Sequence, residues 1–144
     1  MEQRTPSQNW KTTGYWLSTG LLAFALLTGG AAQLVQQAQT VEGMTHLGYP
    51  PYFVSILGFW KLLGALALLA PRLPRLKEWA YAGAFFDMTG AVVSHVMSGD
   101  SVARFVAPLV FALCAVASWA LRPQSRTLGT LGSLEDIMPK RVRA

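Results

Sequence analysis

The chain has 144 residues, enough for one compact unit and too few for two ordinary domains. Hydrophobic residues make up 52% of it and charged residues only 13%, whereas roughly a quarter of a soluble domain is charged. The net charge of +5 is no nucleic-acid signature, because the basic residues flank apolar runs and form no stripe interleaved with aromatics; they read as topology determinants and contacts to anionic lipid.

In chain order, residues 1–13 are polar, with Glu2, Arg4, Pro6 and Lys11, and are expected to form a short tail. An apolar run follows from Gly14 to about Val35. Gly30-Ala31-Ala32 has the look of a signal-peptide cleavage site, but the run exceeds the roughly 7–15 residues of a signal core, so a retained first helix is expected. Gln36 to Pro51 reads as a polar connection with Glu42, Gly43, His46 and Gly48, closed by two prolines that set up the next helix. The second span covers residues 52–70, and Pro71-Arg72-Leu73-Pro74-Arg75 makes a stiff basic turn. So short a turn makes the second and third spans antiparallel neighbours. The third span covers 78–97, and Ser98-Gly99-Asp100-Ser101 forms a turn in which Asp100 or Ser101 is placed to cap the next helix. The fourth covers 102–121, with Pro108 in its first turns. Residues 122–144 form a basic tail, either irregular or lying on the membrane through Leu128, Leu131, Leu134 and Ile137.

Orientation follows from the Lys/Arg distribution. Arg4 and Lys11, then Arg72, Arg75 and Lys77, then Arg122, Arg126, Lys140, Arg141 and Arg143 all fall on one side of a four-span protein. The opposite side carries only Arg104, so both termini are expected to be cytoplasmic. Trp10, Tyr15, Trp16, Tyr49, Tyr52, Trp79, Tyr81 and Trp119 sit near span ends, as an aromatic belt requires. A soluble bundle is disfavoured, because Leu21–Leu27 is apolar on all sides and a soluble helix needs a polar face.

Two charges break the apolar pattern. Lys61 lies nine residues before Ala70, and Asp87 lies nine residues after Glu78. At about 1.5 Å per residue both sit near the midplane, at one depth, on adjacent antiparallel helices. An unpaired charge in hydrocarbon costs at least ~2.5–3.5 kcal/mol, so an ion pair is expected. Gly58, Lys61 and Gly64 share one helix face, as do Gly83, Asp87, Gly90 and Ser94, and the glycines would let the two backbones approach. Three roles stay open: a salt bridge locking a helical hairpin, a proton-titrating or ligand-binding pair in a groove, and a lysine snorkelling to the surface.

Gln33, Glu42, His46, Ser94 and His95 form a candidate polar mouth on the outer side, joined at other depths by Thr28 and Ser55. His95 lies about 80° around its helix from Asp87, so the two need not share a groove. Two histidines without a carboxylate at ligand spacing are a weak metal signal, and no metal or catalytic residue is assigned. The chain holds no HExxH, P-loop, GxGxxG or GxSxG pattern. Cys114, the lone cysteine, reads as a small core hydrophobe.

The run from Leu47 to Asp100 resembles the DoxX-like family of small bacterial membrane proteins. The similarity rests on Gly48-Tyr49-Pro50-Pro51, Lys61 with Leu62-Leu63-Gly64, Pro71 with its basic turn, Lys77-Glu78-Trp79-Ala80-Tyr81-Ala82-Gly83, Phe86-Asp87, Ser94-His95 and Gly99-Asp100. It covers about Gly14 to Leu121 and neither tail. It implies an all-α integral membrane four-helix bundle in a bacterial inner membrane, the lipid bilayer being its first partner. The family takes its name from a subunit resembling part of a thiosulfate:quinone oxidoreductase. The leading expectation is a non-enzymatic component, without its own cofactor, that binds a partner subunit or a small amphipathic ligand beside Lys61 and Asp87; a homo-oligomer is compatible with it. The alternatives are a small subunit of a quinone-linked oxidoreductase, with Lys61 or His95 bonding a quinone carbonyl, and a proton-coupled transporter using Asp87. An apolar slot open to lipid beside Lys61 or His95, a polar cavity reaching Asp87 from one side and a closed dry ion pair would favour the quinone, transporter and structural readings respectively.

Overall fold

A computed structural model describes residues 6–128. These form five α-helices: α1 (Pro6–Leu34), α2 (Ala38–His46), α3 (Pro51–Leu69), α4 (Pro74–Met97) and α5 (Val102–Ala120). A 3-10 turn at Gln124–Arg126 follows, and no strand occurs among the described residues. The first five residues lie outside the described part. So do Leu131, Leu134 and Ile137 of the expected surface stripe and the basic residues Lys140, Arg141 and Arg143.

Local chemistry sets the helix ends. Pro51 and Pro74 open α3 and α4, where the missing proline N–H is no loss because a first-turn N–H has no intrahelical partner. α1, α2 and α4 stop on left-handed residues: Gln36 (φ 48°), Gly48 (φ 88°) and Gly99 (φ 72°). At each, two backbone N–H groups turn back onto the last carbonyls, as with Gly99 N to Val96 O and Asp100 N to His95 O.

Two expectations need correction. α1 begins at Pro6, so residues 6–13 extend the first helix rather than form a tail; no breaker separates them from the apolar run. The connection after it contains a nine-residue helix, α2, because Ala38, Gln39, Glu42 and Met44 favour helix and the prolines lie beyond it. Ser101 does take the N-cap position of α5, but neither it nor Asp100 makes the expected side-chain cap bond.

α1 (over Asn9–Leu34), α3 and α5 are long and apolar enough to cross a membrane. α4 is not among them, since Lys77, Glu78, Asp87 and His95 dilute its hydropathy. Large apolar side chains such as Leu17, Phe24, Leu66, Phe86 and Leu113 point outward. A surface of this kind suits lipid rather than water.

The four long helices close a ring in which α1 contacts α3 and α5, and α4 contacts α5 and, most sparsely, α3. Leu22, Leu26, Ala65, Leu68, Ala84, Met88, Ala112 and Ala115 fill the centre, and Cys114 packs against this cluster. Tyr15 and Tyr81 are core residues, not belt residues. Tyr81 and Ser118 hydroxyls bond at 2.7 Å, and Ser118 bonds Thr19 at 2.6 Å, which supplies the partners a buried phenol needs. Trp10, Trp16, Tyr52, Trp79 and Trp119 remain exposed.

The glycines act differently from the expectation. Gly58 faces α1, not α4: a Cβ there would lie 2.8 Å from Gly30 O and Gln33 Cβ and 2.9 Å from Leu34 N. A Cβ on Gly30 would lie 3.0 Å from Gly58 O and from Lys61 Cβ. The close backbone crossing therefore joins α1 to α3. Gly64, Gly83 and Gly90 have nothing within 4 Å of a built Cβ, so they open space instead of closing it.

Gly58→Ala is expected to lower unfolding free energy in a denaturing-detergent titration by about 1–3 kcal/mol, because the methyl meets backbone atoms that must move. Gly83→Ala is expected to be neutral or to gain up to about 1 kcal/mol from helix propensity. Equal effects would show that the α1–α3 crossing does not depend on the missing side chain.

Candidate functional site

α3 and α4 leave their shared turn at Ala70–Leu73 as antiparallel neighbours, and Lys61 and Asp87 come into contact across them although α4 begins at Pro74, four residues before the start the sequence suggested. Lys61 Nζ lies 3.4 Å from Asp87 Oδ2. Behind Lys61, α1 comes so close at Gly30 that a Cβ there would lie 3.0 Å from the lysine Cβ, and the side chain extends away from α1 to Asp87 on α4. The contact is longer than the 2.7–2.9 Å of a strong charge-assisted hydrogen bond. Asp87 Oδ2 is buried and makes no hydrogen bond. Each side chain nonetheless keeps 15% of its surface exposed, so the pair is not sealed.

The exposure comes from two cavities that meet at the pair. A crevice of about 630 Å³ runs between α3 and α4 from their connecting turn to Lys61 and Asp87. Its walls are apolar, with Leu57, Trp60, Leu63 and Leu66 on one side and Leu76, Trp79 and Ala84 on the other. Gly64 and Gly83 supply the width. A smaller cavity of about 200 Å³ lies on the far side and shares Leu57, Lys61 and Asp87. Met44 and Leu47 at the α2 end roof it, and Tyr49, Phe53 and Phe86 wall it.

The expected outer mouth is assembled only in part. Asp100, which follows the Schellman turn of α4, is its hub. An ionised carboxylate only accepts, so His46 Nε2–H donates to its Oδ1 at 3.0 Å and His95 Nδ1–H to its Oδ2 at 2.7 Å. Arg104 Nε lies 3.8 Å from Oδ1. Ser94 is bonded to Tyr49 across α3 and α4, hydroxyl to hydroxyl at 2.7 Å, and donates to Gly90 O. Gln33 lies elsewhere, buried at the α1–α3 crossing with its Oε1 unbonded. Glu42 stands exposed on α2 and makes no bond or ion pair among the described residues. Ser55 accepts from Gln36 Nε2 at 3.0 Å, while Thr28 bonds back within its own helix to Phe24 O and Ala25 O. No group of three His, Cys, Asp or Glu side chains among the described residues has metal-site geometry.

Sequence reasoning missed the role of Lys77, which it counted as a topology charge and as part of the family motif but gave no partner. It is fully buried, and its Nζ donates to Ala67 O at 2.8 Å and Leu68 O at 2.6 Å. Those are carbonyls of the last turn of α3, which lack helical partners and carry the negative end of the helix dipole. Beside it, Arg122 Nη1 bonds Glu78 at 2.6 Å, Trp119 donates to the other Glu78 oxygen at 2.8 Å, and Arg126 lies over the Trp16 ring.

Lys61→Met and Asp87→Asn are each expected to lower unfolding free energy by about 3 kcal/mol, the scale for breaking one half of a buried pair. The double variant should recover at least half of the summed loss; plain additivity in the cycle would show that the two groups are uncoupled. Asp100 sets the pH response of the outer end. The hydrogen bond from His95 holds its carboxyl below the usual range against slight desolvation, helped by His46 and Arg104. A depressed folded value gives stability that is present above the unfolded value near 4 and lost as pH falls below it. Thermal unfolding should therefore weaken below about pH 4 more steeply in the natural protein than in Asp100→Asn.

A model of the DoxX-like family matches residues 17–118, which takes in α1 from about its fourth turn onward through nearly all of α5 and includes the crevice, the ion pair and the Asp100 hub. Comparison with proteins of curated function and with solved structures gives no match. With the family match spanning all five helices and three of them apolar enough to cross a bilayer, the chain is a small membrane protein that belongs to the DoxX-like family.

Proposed function

We propose that this protein is a non-enzymatic component of a bacterial inner membrane that holds a small amphipathic molecule in the α3–α4 crevice, apolar part between the helices and polar end against Lys61 and Asp87. The crevice carries the reading: about 630 Å³ is within the roughly 300–1,000 Å³ of ligand sites, and its apolar walls end on one charged pair. Four helices cross, with residues 14–121 as the membrane domain and both tails cytoplasmic. The Lys/Arg bias supports that orientation. α4 crosses despite its polar content because Lys77, Glu78, Asp87 and His95 each meet a partner inside the protein.

A second reading shares the crevice. An apolar slot beside Lys61 is what a quinone-linked subunit requires, with Lys61 Nζ donating to a quinone carbonyl. The transporter reading needs a polar route to Asp87, and the outer cavity offers it little support, walled as it is by Met44, Leu47, Phe53 and Phe86.

Gly83→Leu tests the seat. The new side chain projects into open crevice, so the fold is expected to persist, with unfolding free energy unchanged or slightly raised. Mass spectrometry of the gently extracted protein should show a co-purifying amphipathic molecule reduced on the order of tenfold in the variant. Full retention by Gly83→Leu would remove the crevice as the binding seat.

A further inference from the structure

The nature of the polar end follows from what the crevice does and does not contain. Among the described residues, Lys61 and Asp87 are the only ionisable ones that line it. Whichever of the two holds the proton, the pair carries no net charge. Of the other charges at the two ends, Lys77 bonds α3 carbonyls, Glu78 pairs with Arg122, and Asp100 with His46, His95 and Arg104, while Arg72 and Arg75 stand exposed at the turn, away from the pair. A charged head group entering here would be a third charge without a counter-charge in an apolar enclosure, which low-dielectric surroundings penalise heavily.

The pair also leaves bonding capacity unused. Asp87 Oδ2 accepts no hydrogen bond. The Lys61 ammonium has three donors, and its one close polar neighbour among the described residues is that carboxylate, 3.4 Å away. A head that donates to Asp87 and accepts from Lys61 at adjacent points satisfies both. Space for it exists past the pair, where the smaller cavity of about 200 Å³ shares both side chains. Resting on the crevice as the seat, we infer that the occupant is a slender amphiphile whose head is uncharged and presents a donor and an acceptor side by side, as a long-chain alcohol or primary amide does. The tail lies along the nine-residue stretch from the pair to the α3–α4 turn, about 13 Å at 1.5 Å per residue.

The test compares three probes of one chain length, dodecanol, dodecanoate and dodecylammonium, added to the full-length protein in phosphatidylcholine nanodiscs. Bound probe is counted by native mass spectrometry against Gly83→Leu as background. Dodecanol is expected to bind on the order of tenfold more tightly than either charged probe. Lys61→Met should then turn the preference to dodecylammonium, and Asp87→Asn to dodecanoate, because each leaves one charge to be matched. A charged probe that equals or exceeds dodecanol in the natural protein overturns the head-group inference and leaves the crevice reading standing. An unaltered preference in both single variants overturns it too, since the head would not sit at the pair. No probe above the Gly83→Leu background overturns the crevice reading itself. If a single variant does not fold, the three-probe ranking in the natural protein decides alone.

Discussion

The close crossing of α1 and α3 at Gly30 and Gly58 is the constraint on which the rest depends. Two backbones meet where neither residue has a side chain, which draws α3 firmly onto α1. The crossing occupies the face of α3 next to Lys61, and the lysine extends away from it to Asp87 on α4. It also commits the tightest packing of α3 to α1, so that the α3–α4 seam is left sparse. The crevice is a consequence of where the glycines were used.

Polar interactions then hold that seam at its two ends and leave its middle open. At the turn, Lys77 stitches α4 to the final carbonyls of α3. At the other end, Tyr49 bonds Ser94 while Asp100 gathers His46 and His95. Between these ties the one ion pair spanning the gap among the described residues is the 3.4 Å Lys61–Asp87 contact, beside apolar packing of Ala65 and Leu68 with Ala84 and Met88. A seam fixed at both ends keeps a cavity that hydrophobic collapse alone would tend to close, because an empty apolar gap forfeits dispersion contacts along its walls. Bilayer chains or a ligand reaching the crevice restore those contacts.

Much of this architecture was legible in residue patterns. Helix-length apolar runs, the proline start at Pro51 and the short basic turn gave α3 and α4 and their antiparallel pairing, although Pro74, expected inside the turn, opens α4 four residues before the expected start. α2 was not legible, since a nine-residue helix with no buried residue has no apolar stripe to announce it. The tyrosines near the span ends matched an interfacial pattern, yet Tyr15 and Tyr81 turn inward onto Ser118 and Arg126. Periodicity places a residue on a helix face but does not say which neighbour that face meets.

The sequence by itself determined where the long apolar segments lie along the chain and that Lys61 and Asp87 meet on neighbouring helices, because segment length and rise per residue are properties of one helix. Family membership rests on the same linear pattern. Tertiary structure alone decided which helix each glycine admits, that Asp100 rather than either histidine organises the outer end, and that the pair borders two cavities instead of lying in a closed seam. Those features depend on how faces of different helices rotate against one another. That rotation is set by side-chain volume summed over every contact at once, which no spacing along a single helix contains.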